Sequence, residues 1–359
     1  MWRKTVAQHP TAKPLLAAYR FERQETPPIW FMRQAGRYLP EYRALRQRVG
    51  SFLELCLTPE LASTVTLQPI ERFQLDGAII FADILLVPYG LGQALWFEEG
   101  VGPQLEPLKD PGEVATRLDG TRFHETLAPM YAALRETKAQ LPAQTALIGF
   151  AGAPWTVASY MIEGRSSRDF ALSKQWAYGD PAGFQRLIDR VVETTIDYLL
   201  AQIDAGAEAV QLFDSWAGAL PVAEAERWSL EPLQRIVAGV KAQHPDVPVV
   251  VFPRGTGAFY ARMARESGAD AVSLDTGVPL DWARGEVQAH ACAQGNLDPQ
   301  HVVVGGESMR AAAREIVDGL AGGPFVFNLG HGIVPQTPPE HVADLVACVR
   351  SRGRQGDPT

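Results

Sequence analysis

A single (β/α)8 barrel, the TIM-barrel class of α/β fold, is what this sequence predicts, and three observations carry that expectation. Short apolar runs rich in β-branched or aromatic residues alternate with amphipathic segments along the chain, the pattern of buried parallel strands and their crossover helices. The alternation occurs eight times with no second compositional regime, and no phosphate-cradling GxGxxG separates the second run from its helix, which disfavours an open dinucleotide-binding sheet. Polar residues gather just after the runs, where barrel enzymes carry their sites.

The first run, residues 29–32 (IWFM), stops at RQAGRYLPEYRALR, which carries Arg33, Arg37, Arg43 and Arg46. Gly36 and Pro40 punctuate its first part, so a loop is expected there. The second run, 78–81 (AIIF), leads to Asp83, and the third, 146–150 (ALIGF), leads to GAPWTVASY with Tyr160. Residues 209–213 (AVQLF) precede Asp214 and Ser215, 247–252 (VPVVVF) precede Arg254, and 271–274 (AVSL) precede Asp275. The seventh run, 288–295 (QAHACAQG), is polar and leads to Asn296 and Asp298; the eighth, 324–329 (PFVFNL), leads to His331. Among the helices, 184–205 places Leu187, Val191, Ile196, Leu199 and Ile203 mostly on one stripe, and glycines near the helix ends supply the stop signal.

A length of 359 residues suits one barrel domain with an N-terminal extension over about 1–25 and a flexible tail over about 350–359. The hydrophobic content of 46% fits a large core, and the net charge of −8 argues against a nucleic-acid partner, so any anion site is local. The opening MWRKTVAQHPTAKP lacks a signal-peptide core, and no apolar run approaches the roughly 18 residues of a membrane span. The expectation is a cytoplasmic protein without a membrane partner. Three widely spaced cysteines, Cys56, Cys292 and Cys348, fit a reducing compartment.

Each candidate group has a bland reading beside its functional one. Arg33 and Arg37 form either a clamp for a multiply anionic ligand or a solvated basic loop. Asp83, in the apolar stretch IIFADILLVPYGLG, is either a loop-capping carboxylate or one reserved for N–H donors or a developing cation. Tyr160 is an anion donor or a half-buried helix tyrosine. Ser215 lacks a GxSxG elbow and reads as a hydroxyl donor rather than a nucleophile. His331, between two glycines at a strand end, is structural or ligand-facing. His290, Cys292 and Cys348 are zinc ligands or, for the thiols, small buried groups.

The blocks IWFMRQAGRYLPEYR, IIFADILLVPYGLG, GFAGAPWTVASYMIEG, LFDSWAG and FNLGHGIVPQTPPEHV together resemble the uroporphyrinogen decarboxylase family, in order and over nearly the whole chain. The resemblance implies a barrel carboxy-lyase that needs no cofactor or metal, usually a homodimer, acting in tetrapyrrole (haem) biosynthesis. It implies removal of carbon dioxide from the four acetate side chains of uroporphyrinogen III to give coproporphyrinogen III. Carried over by position, the substrate segment falls on Arg33, Gln34, Ala35, Gly36 and Arg37. The family's central aspartate falls on Asp83, with a catalytic as well as a binding role, and the remaining substrate contacts fall on Tyr160, Ser215 and His331. Arg254 receives no role. Two other classes stand against this: a zinc-dependent corrinoid methyltransferase of the same barrel type, using His290, Cys292 and Cys348, and a non-catalytic tetrapyrrole carrier.

Overall fold

The structure, a computed structural model, describes residues 13–98 and 100–353. Nine strands are present among them: β1 (Gly77–Ile79), β2 (Leu95–Glu98), β3 (Gly102–Leu105), β4 (Ala146–Gly152), β5 (Ala209–Asp214), β6 (Val249–Pro253), β7 (Ala271–Ser273), β8 (Cys292–Leu297) and β9 (Phe325–Leu329). Seven of them form one curled parallel sheet in the order β1-β4-β5-β6-β7-β8-β9, while β2 and β3 make a separate antiparallel hairpin. Strands β4, β6, β8 and β9 are buried at every position, β4, β6 and β9 as mostly apolar runs covered on both faces and β8 with Gln294 and Asn296 among its buried residues.

The first expected strand, 29–32, is shorter than the sequence suggests. It is reduced to one parallel bridge, Ile29 to Phe327 in β9. The Phe327 N–H donates to the Pro28 carbonyl, and on the other side the Asp76 N–H donates to the Ile29 carbonyl, just before β1. Turns at 32–33 and 35–39 follow, as Gly36 and Pro40 imply, and the helix Pro40–Arg46 begins on that proline. The run expected at 288–295 is also displaced, because β8 starts at Cys292. Gln288 instead turns its amide onto the carbonyls of Leu320 and Pro324, tying a helix end to the start of β9.

The long helix Pro181–Asp204 shows how the surrounding layer forms. Asp180 caps it by accepting from the Gly183 N–H at 2.8 Å, and Pro181 occupies the first turn. Leu187, Val191 and Leu199 are fully buried, each such side chain contributing about 1.5–3 kcal/mol. Ile196, off that face, packs on Gly239 of the next helix, Glu231–Gln243. Gly206, at φ 116°, then turns the chain into β5.

Residues 1–12 of the expected extension and 354–359 of the expected tail lie outside the described residues. The rest of both segments is folded. The helix Pro14–Tyr19 buries Leu15 and Ala18 in the core, and Lys13 pairs with Glu208 at 2.6 Å. The last helix, Pro339–Gly353, sends Arg350 to the Gln74 carbonyl. No helix among the described residues is long and apolar enough to cross a membrane.

Candidate active site

The chain leaves the sheet after β1 for a specific reason. The Phe81 N–H donates not to a strand but to the Thr66 hydroxyl, at 2.9 Å, which peels the backbone away and swings Asp83 over the end of the sheet. One carboxylate oxygen of Asp83 accepts the Leu85 N–H at 2.9 Å, and the other has no protein partner among the described residues. Burial raises the Asp83 pKa, against the Leu85 hydrogen bond and the field of Arg33. A carboxylate has room for about four donors, so most of this one's capacity is open.

The arginine segment is held by its own middle. Gln34 is fully buried; its side-chain oxygen accepts the Phe31 N–H and its amide donates to the Gly77 carbonyl of β1. Tyr38 donates to the Gln34 carbonyl at 2.8 Å. Gln34 is thus a brace between residue 31 and β1, and it lends the site position rather than a free donor. Arg43 donates to the Arg37 and Tyr38 carbonyls, and Arg46 to the Val49 carbonyl. Arg33 and Arg37 are exposed and have no ion-pair partner among the described residues. Arg33 sits at φ 60°, a conformation that side chains rarely adopt, and its stem crosses Gly332, where a β-carbon would collide with its Cδ. Gly332 therefore makes the passage for Arg33.

These parts surround one cavity of about 1010 Å³, and Arg33, Gln34, Ala35, Gly36, Arg37, Asp83, Tyr160, Ser215 and His331 all line it. Tyr160 comes from the helix Pro154–Glu163, with burial and the Asp83 charge pushing its pKa up to about 12, so it is a donor at neutral pH. Ser215 follows β5. His331 follows β9, and burial together with Arg33 and Arg254 pushes its imidazole down to about 4. It is neutral at pH 7.

Other strand-end groups are committed elsewhere. Asp214 is sealed between the Thr156 and Ser229 hydroxyls. Asp275 accepts from Tyr260 and from the Gly255 and Gly277 N–H groups. Asn296 donates to the Asp275 and Val278 carbonyls, and Asp298 caps the helix Pro299–Val304. The zinc alternative also fails on geometry. Cys292 is buried at the start of β8, the end of the strand away from the cavity, His290 is exposed, and Cys348 lies on the last helix. No group of three metal-binding side chains converges among the described residues.

Sequence reasoning missed the walls. Phe150, Phe213 and Phe252, on β4, β5 and β6, line the cavity and meet edge-to-face, at 5.6 Å and 6.2 Å between centroids. Their signal was present: three successive apolar runs end in phenylalanine. The hairpin β2–β3 adds Phe97, tilted against Phe52 with centroids 4.5 Å apart, and its turn, while Arg46 adds a third cation.

The chain's likeness to known proteins agrees with this arrangement. A protein from Rhodospirillum rubrum named uroporphyrinogen decarboxylase is 51% identical over 341 residues, covering 95% of this chain and 98% of that one. One of the same name from Paracoccus denitrificans is 52% identical over 338 residues, covering 94% and 99%. Among solved structures, a methyltransferase from Methanosarcina mazei superposes with a TM-score of 0.78 over 94% of this chain and 97% of that one. At 19% identity that likeness speaks for the fold alone. The sequence profile of uroporphyrinogen decarboxylase (URO-D) matches residues 10–352, and with half-identical relatives over almost the whole length, the chain belongs to the uroporphyrinogen decarboxylase family.

Proposed function

We propose that this enzyme removes carbon dioxide from the four acetate side chains of uroporphyrinogen III, yielding coproporphyrinogen III, without a cofactor. The observation that carries the mechanism is Asp83, which lines the cavity with one oxygen free of protein partners among the described residues, in company with the unpaired Arg33 and Arg37. The substrate has the matching layout, with carboxylates outside and four pyrrole N–H groups inside. Arg33 and Arg37 take the outer carboxylates through charge-assisted hydrogen bonds of roughly 1.5–3 kcal/mol each. Asp83 takes the converging N–H groups, Tyr160 and Ser215 donate hydroxyls, and neutral His331 offers one ring N–H.

Chemistry follows from that placement. A proton added to a pyrrole carbon makes a cation; the bond from the acetate methylene to its carboxylate then breaks, and its electron pair neutralises the ring as carbon dioxide leaves. The exocyclic methylene takes up a proton to become methyl and the ring carbon loses its own, so each acetate consumes one proton net. Asp83 stabilises the cation as it forms, because its charge is in place beforehand in a site that excludes water. The Phe150, Phe213 and Phe252 walls provide the exclusion.

We place residues 29–32 as the stave that completes an eight-stranded barrel, in one domain, and the protein in the cytoplasm as a homodimer. The hydrogen bonds from residues 28–30 to β9 and Asp76 support the first of these. Anaerobic incubation with reduced uroporphyrinogen, followed by counting product carboxylates, tests the activity. An unchanged octacarboxylate sinks the proposal, and so does tight substrate binding without turnover, which is the carrier's behaviour.

A further inference from the structure

The helix Pro154–Glu163 and the turn after β5 carry two of the proposed substrate donors, Tyr160 and Ser215, and a single buried carboxylate joins them. Asp214 is inaccessible to solvent and ends β5. Its Oδ1 accepts the Thr156 hydroxyl at 2.6 Å and its Oδ2 accepts the Ser229 hydroxyl at 2.5 Å. With its proton aimed at Asp214, the Thr156 oxygen is left as an acceptor, and it accepts the Trp216 N–H at 3.1 Å. One residue earlier in the same helix, the Trp155 indole donates to the Trp216 carbonyl at 3.0 Å. Both polar groups of the Trp216 backbone are therefore fixed by adjacent residues of one helix, immediately after Ser215. Tyr160 is one turn further along that helix from Thr156, on the same face, and its ring lies 6.1 Å from that of Trp216.

We propose that Thr156 and Asp214 are positioning residues, which set Ser215 and Tyr160 at a fixed separation on the cavity wall so that both hydroxyls meet the substrate together. The inference rests on the proposed reading of Ser215 and Tyr160 as substrate donors. Asp214 orients the Thr156 hydroxyl; the hydroxyl then holds the turn. A charged acceptor does this better than a neutral one, since charge-assisted hydrogen bonds are shorter and stronger.

Thr156 and Ser229 supply a controlled comparison. Thr156→Val and Ser229→Ala each strip one donor from Asp214, and both should lower the melting temperature, but only Thr156 touches the turn. Assayed well below melting, with rates divided by folded enzyme, T156V is expected to lose about tenfold or more in kcat/KM, whereas S229A stays within about threefold of wild type, because only the first misplaces donors. Thr156→Ser, which keeps the hydroxyl, is expected to recover most of the loss. Equal activity losses in T156V and S229A, or a T156S variant as impaired as T156V, would overturn the proposal. If T156V does not fold, Thr156→Cys replaces it with the same expected ranking, its thiol being a weak partner. Wild-type enzyme without decarboxylase activity would instead sink the functional reading. Active wild type with unimpaired T156V sinks this inference alone.

Discussion

Asp83, in the loop four residues beyond β1, and Asp214, the last residue of β5, both follow the carboxyl ends of parallel strands, and the fold treats them in opposite ways. Asp214 has both oxygens filled by hydroxyls and no contact with solvent. Asp83 has one backbone donor and an open oxygen on the cavity wall. Burial raises the pKa of both, Asp214 up to about 6 despite its two donors. A perturbed carboxylate is thus no sufficient mark of a working one. What separates the two is unfilled acceptor capacity, present only where a ligand can supply the missing donors.

The largest expected effect follows from that difference. Asp83→Asn removes the charge and turns an NH₂ toward the N–H donors of the substrate, so turnover should fall by about a hundredfold to a thousandfold, the range for loss of a preorganised electrostatic partner. Asp83→Glu should lie between, its charge displaced by one methylene. Stability moves the other way. A carboxyl whose pKa is raised by folding contributes stability below its unfolded pKa and loses it as pH rises, so at neutral pH its charge is a cost that Asn relieves. Single-turnover rates and urea melts of the same variants check both halves, and a D83N variant as fast as wild type would end the electrostatic role.

Asp214 carries the next effect, on stability. Its pKa rises from the ordinary 3.8 to about 6, so its contribution is complete below the first value and lost as pH climbs through the second. The loss is about 3 kcal/mol at 1.36 kcal/mol per unit. Urea melts of wild type and D214N across this window should diverge by that order, with wild type falling as pH rises. Parallel curves would mean that Asp214 ionises as readily in the fold as in the unfolded chain and that burial does not raise its pKa.

The sequence could not separate these two aspartates, because what fills Asp214 is remote: Thr156 lies 58 positions before it, and Ser229 belongs to a later helix. Most strands were legible, since β4, β5, β6 and β9 are continuous apolar runs that follow from burial on both faces. β8 begins four residues after the start of the expected run, and its bounds are hard to read because Gln294 and Asn296 lie in a buried polar interior, where Gln294 bonds Tyr19, Trp30, Gln211 and Ser273. The hairpin β2–β3 went unread. It is short, and its outer face exposes Trp96, so no buried period announces it. The sequence groups Gln34 with its arginine neighbours as a ligand contact, and only the fold reveals that its side-chain partners are backbone groups.

A third, smaller effect tests the rim against the centre. Arg37 is exposed, so its pairing with a substrate carboxylate is screened, whereas Asp83 is not. Arg37→Ala should raise KM about tenfold at low salt, consistent with one charge-assisted hydrogen bond, and by much less at high salt. The D83N defect should be independent of salt. Identical salt responses in the two variants would erase the distinction between rim and centre.

The smallest expected effect is at His331, and it runs opposite in sign to Asp214. Its imidazole, pushed from the ordinary 6.5 down to about 4 by burial and by Arg33 and Arg254, carries a proton in only about one molecule in a thousand at pH 7. In the proposed reading it is therefore a neutral donor rather than a reservoir of catalytic protons. His331→Gln keeps an N–H donor at similar reach, so kcat/KM should fall only a few-fold, on the order of one neutral hydrogen bond of about 1 kcal/mol. The activity profile of the variant should run parallel to wild type between about pH 5.5 and 8, since neither side chain titrates there. Stability supplies the sign. A histidine with a depressed folded pKa contributes stability that is present above 6.5 and lost as pH falls toward 4, because only the unfolded chain takes up the proton. H331Q should thus resist acid better than wild type, while D214N abolishes the opposing slope over much the same window. An H331Q profile that loses an inflection near neutral pH would show that His331 is charged in the working enzyme, and its neutral role at the cavity would have to be abandoned.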